Sequence, residues 1–299
     1  MKAAWMYTAA GIVLVAGLLT IFRRGLRVRG LDAIIEFGPL LFAIPMAVFG
    51  AFHFLFPQVV APLVPKWIPV HLFWVYFCGA ALIAAALSIA ADRLATLSSA
   101  LLGAMLLSFV LLISVPGVAA NPGNRFGWAL LLRDLSFSSA AFALAISRRQ
   151  SVAGAWGYLA AALRAVVAIA LIFFAVQHFR HPEFVPVIPL PQQLPSWFPL
   201  HAPVNYVVGC AELVAGACML FKVRPRVAAG LIGATALGII ILVYLPLLIA
   251  TPRDVAQMNY FFDTLAYAGS LLLIARLTTG QTNRRETTAD TQLESQAVS

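Results

Sequence analysis

Charged residues are scarce in this sequence. Asp, Glu, Lys and Arg make up 10% of 299 residues, far below the quarter or so that covers a soluble domain. No segment is long or polar enough to fold in water, so the formal net charge of +9 does not signify a nucleic-acid partner, which would need its Lys and Arg gathered on a water-exposed domain. Cysteine is nearly absent too: Cys78, Cys210 and Cys218 fall within apolar runs without a Cys-x-x-Cys, which points to packing and away from thiol–disulfide chemistry. The five histidines include no His-x-x-x-His, so neither a metal nor a haem site is expected. There is no Walker loop, dinucleotide fingerprint or nucleophile elbow, and no soluble domain in which one could fold.

What the chain does have is apolar length. Hydrophobic residues reach 62% and the mean hydropathy is +0.93, so the bilayer is the first partner. Stretches of about 20 apolar residues, the length that crosses a hydrocarbon core of about 30 Å, occur near 3–22, 34–56, 71–91, 94–115, 126–147, 156–179, 201–221, 227–250 and 258–276. Residues 1–22 read as a span and not as a cleaved leader, because the run is long and its arginines follow it. After Ala275 the sequence turns polar, and residues 277–299 are expected to form a disordered tail.

The basic residues give an orientation. Placing "RRGLRVRG" in the cytoplasm puts Arg93, Arg148, Arg149, Lys222, Arg224, Arg226, Arg276, Arg284 and Arg285 there as well, 13 basic residues against 5 outside, namely Lys2, Lys66, Arg125, Arg180 and Arg253. The positive-inside rule then sets the N-terminus outside and the tail inside. The expected location is a cell membrane, a bacterial inner membrane in particular.

An internal repeat organises the rest. "HFLFP" at His53 matches "HFRHP" at His178, and the match runs through Pro65/Pro195, Trp67/Trp197, Pro69/Pro199, His71/His201, Tyr76/Tyr206 and Gly79/Gly209 to the neighbourhood of Asp134/Asp263. Each unit holds four spans, an even number, so both enter the membrane in the same direction as parallel repeats. The expected fold is an all-α polytopic membrane protein of about nine spans. An N-terminal helix and basic loop (1–33) precede a first four-helix unit (34–150) and a second (151–276). In each, Pro-x-Trp-x-Pro cannot continue a helix and makes a rigid outer turn, with Trp67 or Trp197 anchored at headgroup level.

Polar side chains inside the spans are the candidate site, since a charge at the bilayer centre costs about 2.5–3.5 kcal/mol on insertion scales. They are Arg133, Asp134, Arg164, Glu212 and Asp263. On a helical wheel His201, Asn205 and Glu212 share one face within about 40°. Glu212 lies about 16 Å below His201 and Arg164 about 21 Å below His178 by helical rise, so a Glu212–Arg164 pair is expected, reached by a polar path past Asn205. Arg133 and Asp134 point to different sides of their helix and are expected to need separate partners or local water. All five histidines, His178 included, are expected at outer span ends.

"LRAVVAIALIFFAVQHF", the Pro-Trp-Pro turn and "YVVGCAELVAGACMLF" together resemble the DoxX-like four-helix membrane proteins, which carry an Arg early in their first helix, here Arg164, and a Gly-x-x-Glu in their second, here Gly209 to Glu212. The likeness covers about 155–275 well and 34–147 less well, where Pro39 and Leu82 replace the two charged positions. It implies a tandem duplication with a degenerate first unit and a charge-dependent site in the second. It further implies a redox or quinone-interacting membrane subunit with a soluble or membrane redox partner. A small-solute or proton-linked transporter and a non-catalytic assembly component are the alternatives.

Overall fold

The computed structural model describes residues 2–25, 28–149 and 152–297, with side chains to Leu277. Among them, nine helices are long and apolar enough to cross a membrane. We number them α1 (Lys2–Arg24), α2 (Leu31–Leu55), α3 (His71–Ala90), α4 (Ala95–Ala120), α5 (Arg125–Ser147), α6 (Ala155–Arg180), α7 (His201–Leu220), α8 (Pro225–Ala250) and α9, whose span is Val255–Leu277 within a helix Val255–Ala297. The chain is an all-α polytopic membrane protein. The tail expected to be disordered over 277–299 instead continues the backbone of α9 as helix to Ala297, residues 298 and 299 lying outside the described residues.

The repeat is visible in the backbone. Helices α3 and α7, α4 and α8, and α5 and α9 begin 130 residues apart. The caps repeat as well: Asn124 Oδ1 accepts from Phe126 N–H and Asp254 Oδ1 from Ala256 N–H. Both α4 and α8 widen to a π turn, at Val110–Ser114 and Ile240–Tyr244, just before Pro116 and Pro246, whose missing N–H disrupts the α-helical ladder. Val70 and Leu200, which enter α3 and α7, share a left-handed φ of 54° and 56°.

The helices pack as a ring in chain order, α2 to α9, closed by α9 on α2, and α5 meets α9 across the middle. Those two, the fourth helix of each repeat, are the most deeply enclosed spans. The repeats therefore share one core. Helix α1 lies outside the ring against α2 and α3. Close approach is set by glycine: a Cβ on Gly50 of α2 would stand 2.7 Å from the Gly79 carbonyl of α3, and one on Gly216 of α7 2.8 Å from that of Ala168 of α6.

Candidate functional site

The α2–α3 and α6–α7 turns are where the repeats diverge. His53 and His178 are 125 residues apart but Pro65 and Pro195 are 130 apart, so the second turn is five residues longer. Those extra residues fold inward. Val185 N–H donates to Gln192 O at 2.8 Å and Leu194 N–H to Glu183 O at 3.0 Å, making a narrow hairpin whose Val185, Val187, Ile188 and Leu190 are buried in the core. In the first repeat the corresponding turn stays at the surface, with Val59 and Leu63 exposed.

Where the first repeat lacks that hairpin, a cavity of about 540 Å³ remains. Its walls are apolar, from Phe49, Val75, Leu82, Met105 and Phe137 among others. Trp74, Phe77 and Leu112 line it while facing outward, so its mouth opens on the lipid-facing surface between α3 and α4. Three charged side chains, Arg133, Asp134 and Asp263, line it with Asn259 and His53.

The charged group is fully interlocked. Arg133 Nη1 donates to Asp263 Oδ2 at 2.8 Å, its Nε and Nη2 donate to Asp134 Oδ1 at 3.0 and 2.8 Å, and Asn259 Nδ2 donates to Asp263 Oδ2 at 3.3 Å. Ser114, last residue of the first π turn, donates to Asp134 Oδ2 at 3.0 Å. Arg133 and Asp134 do not need separate partners, because the long guanidinium stem curls back onto its neighbour while its other edge reaches α9. The N-caps also correct the repeat alignment: in a register of 130 the counterpart of Asp263 is Arg133, and that of Asp134 is Thr264. Two aspartates match by identity, but the backbone puts them one residue out of step.

The second repeat places its polar residues elsewhere than expected. Glu212 Oε2 lies 3.2 Å from His178 Nε2, both side chains buried, and Arg164 Nε donates to the Met219 carbonyl at 3.0 Å. No Glu212–Arg164 pair forms. Gly209 against Ala175 and Gly216 against Ala168 set Glu212 level with residue 172, about 12 Å of helical rise from Arg164. Side chains tilt toward their own helix N-terminus, so His178 on α6 and Glu212 on antiparallel α7 lean together, while Arg164 leans away and caps the carbonyl end of α7. His178 stands in the last turn of α6, as expected, but is fully buried there.

His201 and Asn205 do not form a path to Glu212. His201 Nε2 bonds Pro195 O at 2.9 Å and holds the Pro-Trp-Pro turn, and Asn205 Nδ2 donates to Pro182 O and Phe184 O at 3.0 and 2.9 Å and holds the inward hairpin. Its tip is secured by Val187 N–H, which donates to His178 Nε2 at 3.2 Å. Val187 has φ 88°, a region that β-branched residues avoid. Behind the hairpin, His178 Nδ1, Asn205 Oδ1, Glu212 Oε1 and Tyr267 OH are buried without a hydrogen-bond partner, and Glu212 Oε2 has only its approach to His178 Nε2, the nitrogen that already accepts from Val187.

The Pro-Trp-Pro segments form equivalent turns, Ile68 N–H and Phe198 N–H each donating at 2.9 Å to Pro65 O and Pro195 O. Trp67 and Trp197 are exposed, beside Pro69, His71 and Pro199. Among the described residues, no three His, Cys, Asp or Glu side chains gather in a metal-binding arrangement.

Sequence could have revealed the cavity through one signal, the five-residue difference in turn length. The roles of His53, Ser114 and Asn259 had no such signal. No protein-family model, curated protein or solved structure matches the chain.

Proposed function

We propose that this protein binds a lipophilic small molecule with a polar head, taken up laterally from the outer leaflet into the first-repeat cavity, and acts as a DoxX-like quinone-interacting subunit of a cell membrane. The observation that carries this reading is the cavity itself. Its volume suits one ligand-sized molecule, its mouth is apolar, and its inner wall holds the Arg133–Asp134–Asp263 group. A quinone-type head fits these residues: Arg133 and Asn259 are donors for oxygen, and Asp134 and His53 can accept from hydroxyl groups. Such a head supplies electron and proton exchange. The chain's own residues orient it, exclude water and offer carboxylates for its protons.

Supporting the family reading are Arg164 and Gly209-x-x-Glu212, although here Arg164 caps a helix and Glu212 lies against His178. Together with the hairpin, this moves the open site from the second repeat to the first. The proposed orientation keeps the Trp67 and Trp197 turns outside and the basic loops in the cytoplasm.

The test is extraction of lipids from the purified protein and titration of the emptied protein with a short-chain quinone. A stoichiometric quinone, or saturable quenching of fluorescence that Trp74→Phe removes, is expected. Neither bound lipophile nor Trp74-dependent quenching would refute the cavity reading.

A second reading, proton-linked transport, rests on the two aspartates that share Arg133 at the cavity wall. Proton uptake coupled to solute flux in liposomes, lost in Asp134→Asn, would favour it.

A further inference from the structure

The second repeat contains its own occupant, and that occupant describes the ligand of the first. His178 and Asn205 are the counterparts of His53 and Val75, by the offsets of 125 and 130 that hold on either side of the turn. His53 and Val75 line the open cavity. In the second repeat the same two positions touch the hairpin: Val187 N–H donates to His178 Nε2, and Asn205 donates to the carbonyls of Pro182 and Phe184. The hairpin thus sits where the first repeat has space. What it offers the histidine is one N–H donor, carried on a branched apolar group.

The first-repeat histidine is prepared for the same contact. His53 Nδ1 lies 2.7 Å from the Phe49 carbonyl, which can only accept, so Nδ1 carries the ring proton and a neutral ring leaves the Nε2 lone pair open. In the second repeat Glu212 also approaches Nε2 at 3.2 Å. In the first, Leu82 stands at that position and is itself part of the cavity wall. Among the described residues none hydrogen-bonds His53 Nε2.

We infer that the first-repeat cavity selects a lipophilic ligand bearing a hydrogen-bond donor, an amide N–H or a hydroxyl O–H, which binds His53 Nε2 as Val187 N–H binds His178. This rests on the cavity reading and narrows its ligand class. An acceptor-only head, that of an oxidised quinone included, leaves the lone pair of His53 facing an oxygen and binds more weakly than a donor-bearing head such as the quinol.

The inference is tested with three brominated probes of matched length: 11-bromoundecanol, N-methyl-11-bromoundecanamide and 11-bromoundecyl methyl ether. Bromine quenches tryptophan at contact, and the signal is the difference between protein in nanodiscs and its Trp74→Phe variant. The alcohol, the amide or both should half-quench Trp74 at about three- to tenfold lower concentration than the ether, the size of one net hydrogen bond. Preference for one of the two identifies the donor. His53→Leu should bring every probe to the level of the ether, and His53→Gln, which keeps an acceptor, should restore part of the preference. Equal binding of all three probes, or a preference that survives His53→Leu, would overturn the donor contact and leave the cavity reading standing. Saturable quenching by none of them would overturn both.

Discussion

Arg133 and Asp263 occupy equivalent positions in the two repeats and pair with each other at 2.8 Å between the two central helices. A strict duplication would set like against like there. Divergence into opposite charges lets the two halves be joined by an ion pair at the centre of the ring, with Asp134 and Asn259 completing the hydrogen bonds.

This pair should govern stability. Arg133→Leu strands Asp263, which is nearly inaccessible, and should cost about 3–5 kcal/mol, whereas Arg133→Leu with Asp263→Leu and Asp134→Leu should recover most of it. Thermal unfolding in one detergent measures both, and an unchanged midpoint for Arg133→Leu would show that the group is solvated and not structural.

Double-mutant cycles separate the two partners proposed for Glu212. Glu212 and His178 touch, so their coupling should reach about 0.5–3 kcal/mol, while Glu212 and Arg164, without a shared contact, should be additive within about 0.5 kcal/mol. Coupling of the opposite rank would restore the Arg164 pairing. Arg164→Leu alone should still destabilise by about 1–2 kcal/mol, through the uncapped Met219 carbonyl.

Asn205→Ala removes the donors that hold Pro182 and Phe184. Hydrogen exchange of Val185 and Leu194, whose N–H groups close the hairpin, should rise by about tenfold or more, with the N–H groups of α5 and α9 unaffected. Uniform loss of protection throughout would mean that the hairpin is inseparable from the fold.

The proposed topology places Ser196 and Arg149 on opposite faces. Introduced as single cysteines in a chain without Cys78, Cys210 and Cys218, they should react with an impermeant thiol reagent from opposite sides. Labelling of both from one side would remove the orientation.

Arg148 is half-buried at the basic-loop face and paired with Asp92. Burial, and then the neighbouring Arg276, pull its guanidinium below the usual arginine range. Asp92→Asn should therefore destabilise this corner by about 1 kcal/mol, because it removes the carboxylate shared by Arg148 and Arg24 at a partly solvated site while Glu36 remains near Arg148. A thermal midpoint equal to that of the parent chain would show that water already neutralises the arginine.

Hydropathy alone determined the spans and the fold class, because in a bilayer each backbone group must be satisfied within its own helix and the length of an apolar run has one meaning. The repeat, too, was legible from Pro65, Trp67 and Pro69 against Pro195, Trp197 and Pro199, since proline dictates local geometry whatever surrounds it. The candidate charges were named from sequence because each is costly in an apolar run. Their partners were not. Depth counted from His178 and His201 assumed that these lie level, whereas the close approach of Gly209 to Ala175 sets His201 beyond the end of α6, about 7.5 Å of helical rise past His178. The direction in which each side chain leans depends on the antiparallel register of α6 and α7, which Gly209 and Gly216 fix through close contact. Whether a turn lies on the surface or fills the bundle is decided by whether space and partners await it inside: His178 and Asn205 hold the second hairpin, while Val75 has no donor for a loop carbonyl. That tertiary choice closed one site and left the other open.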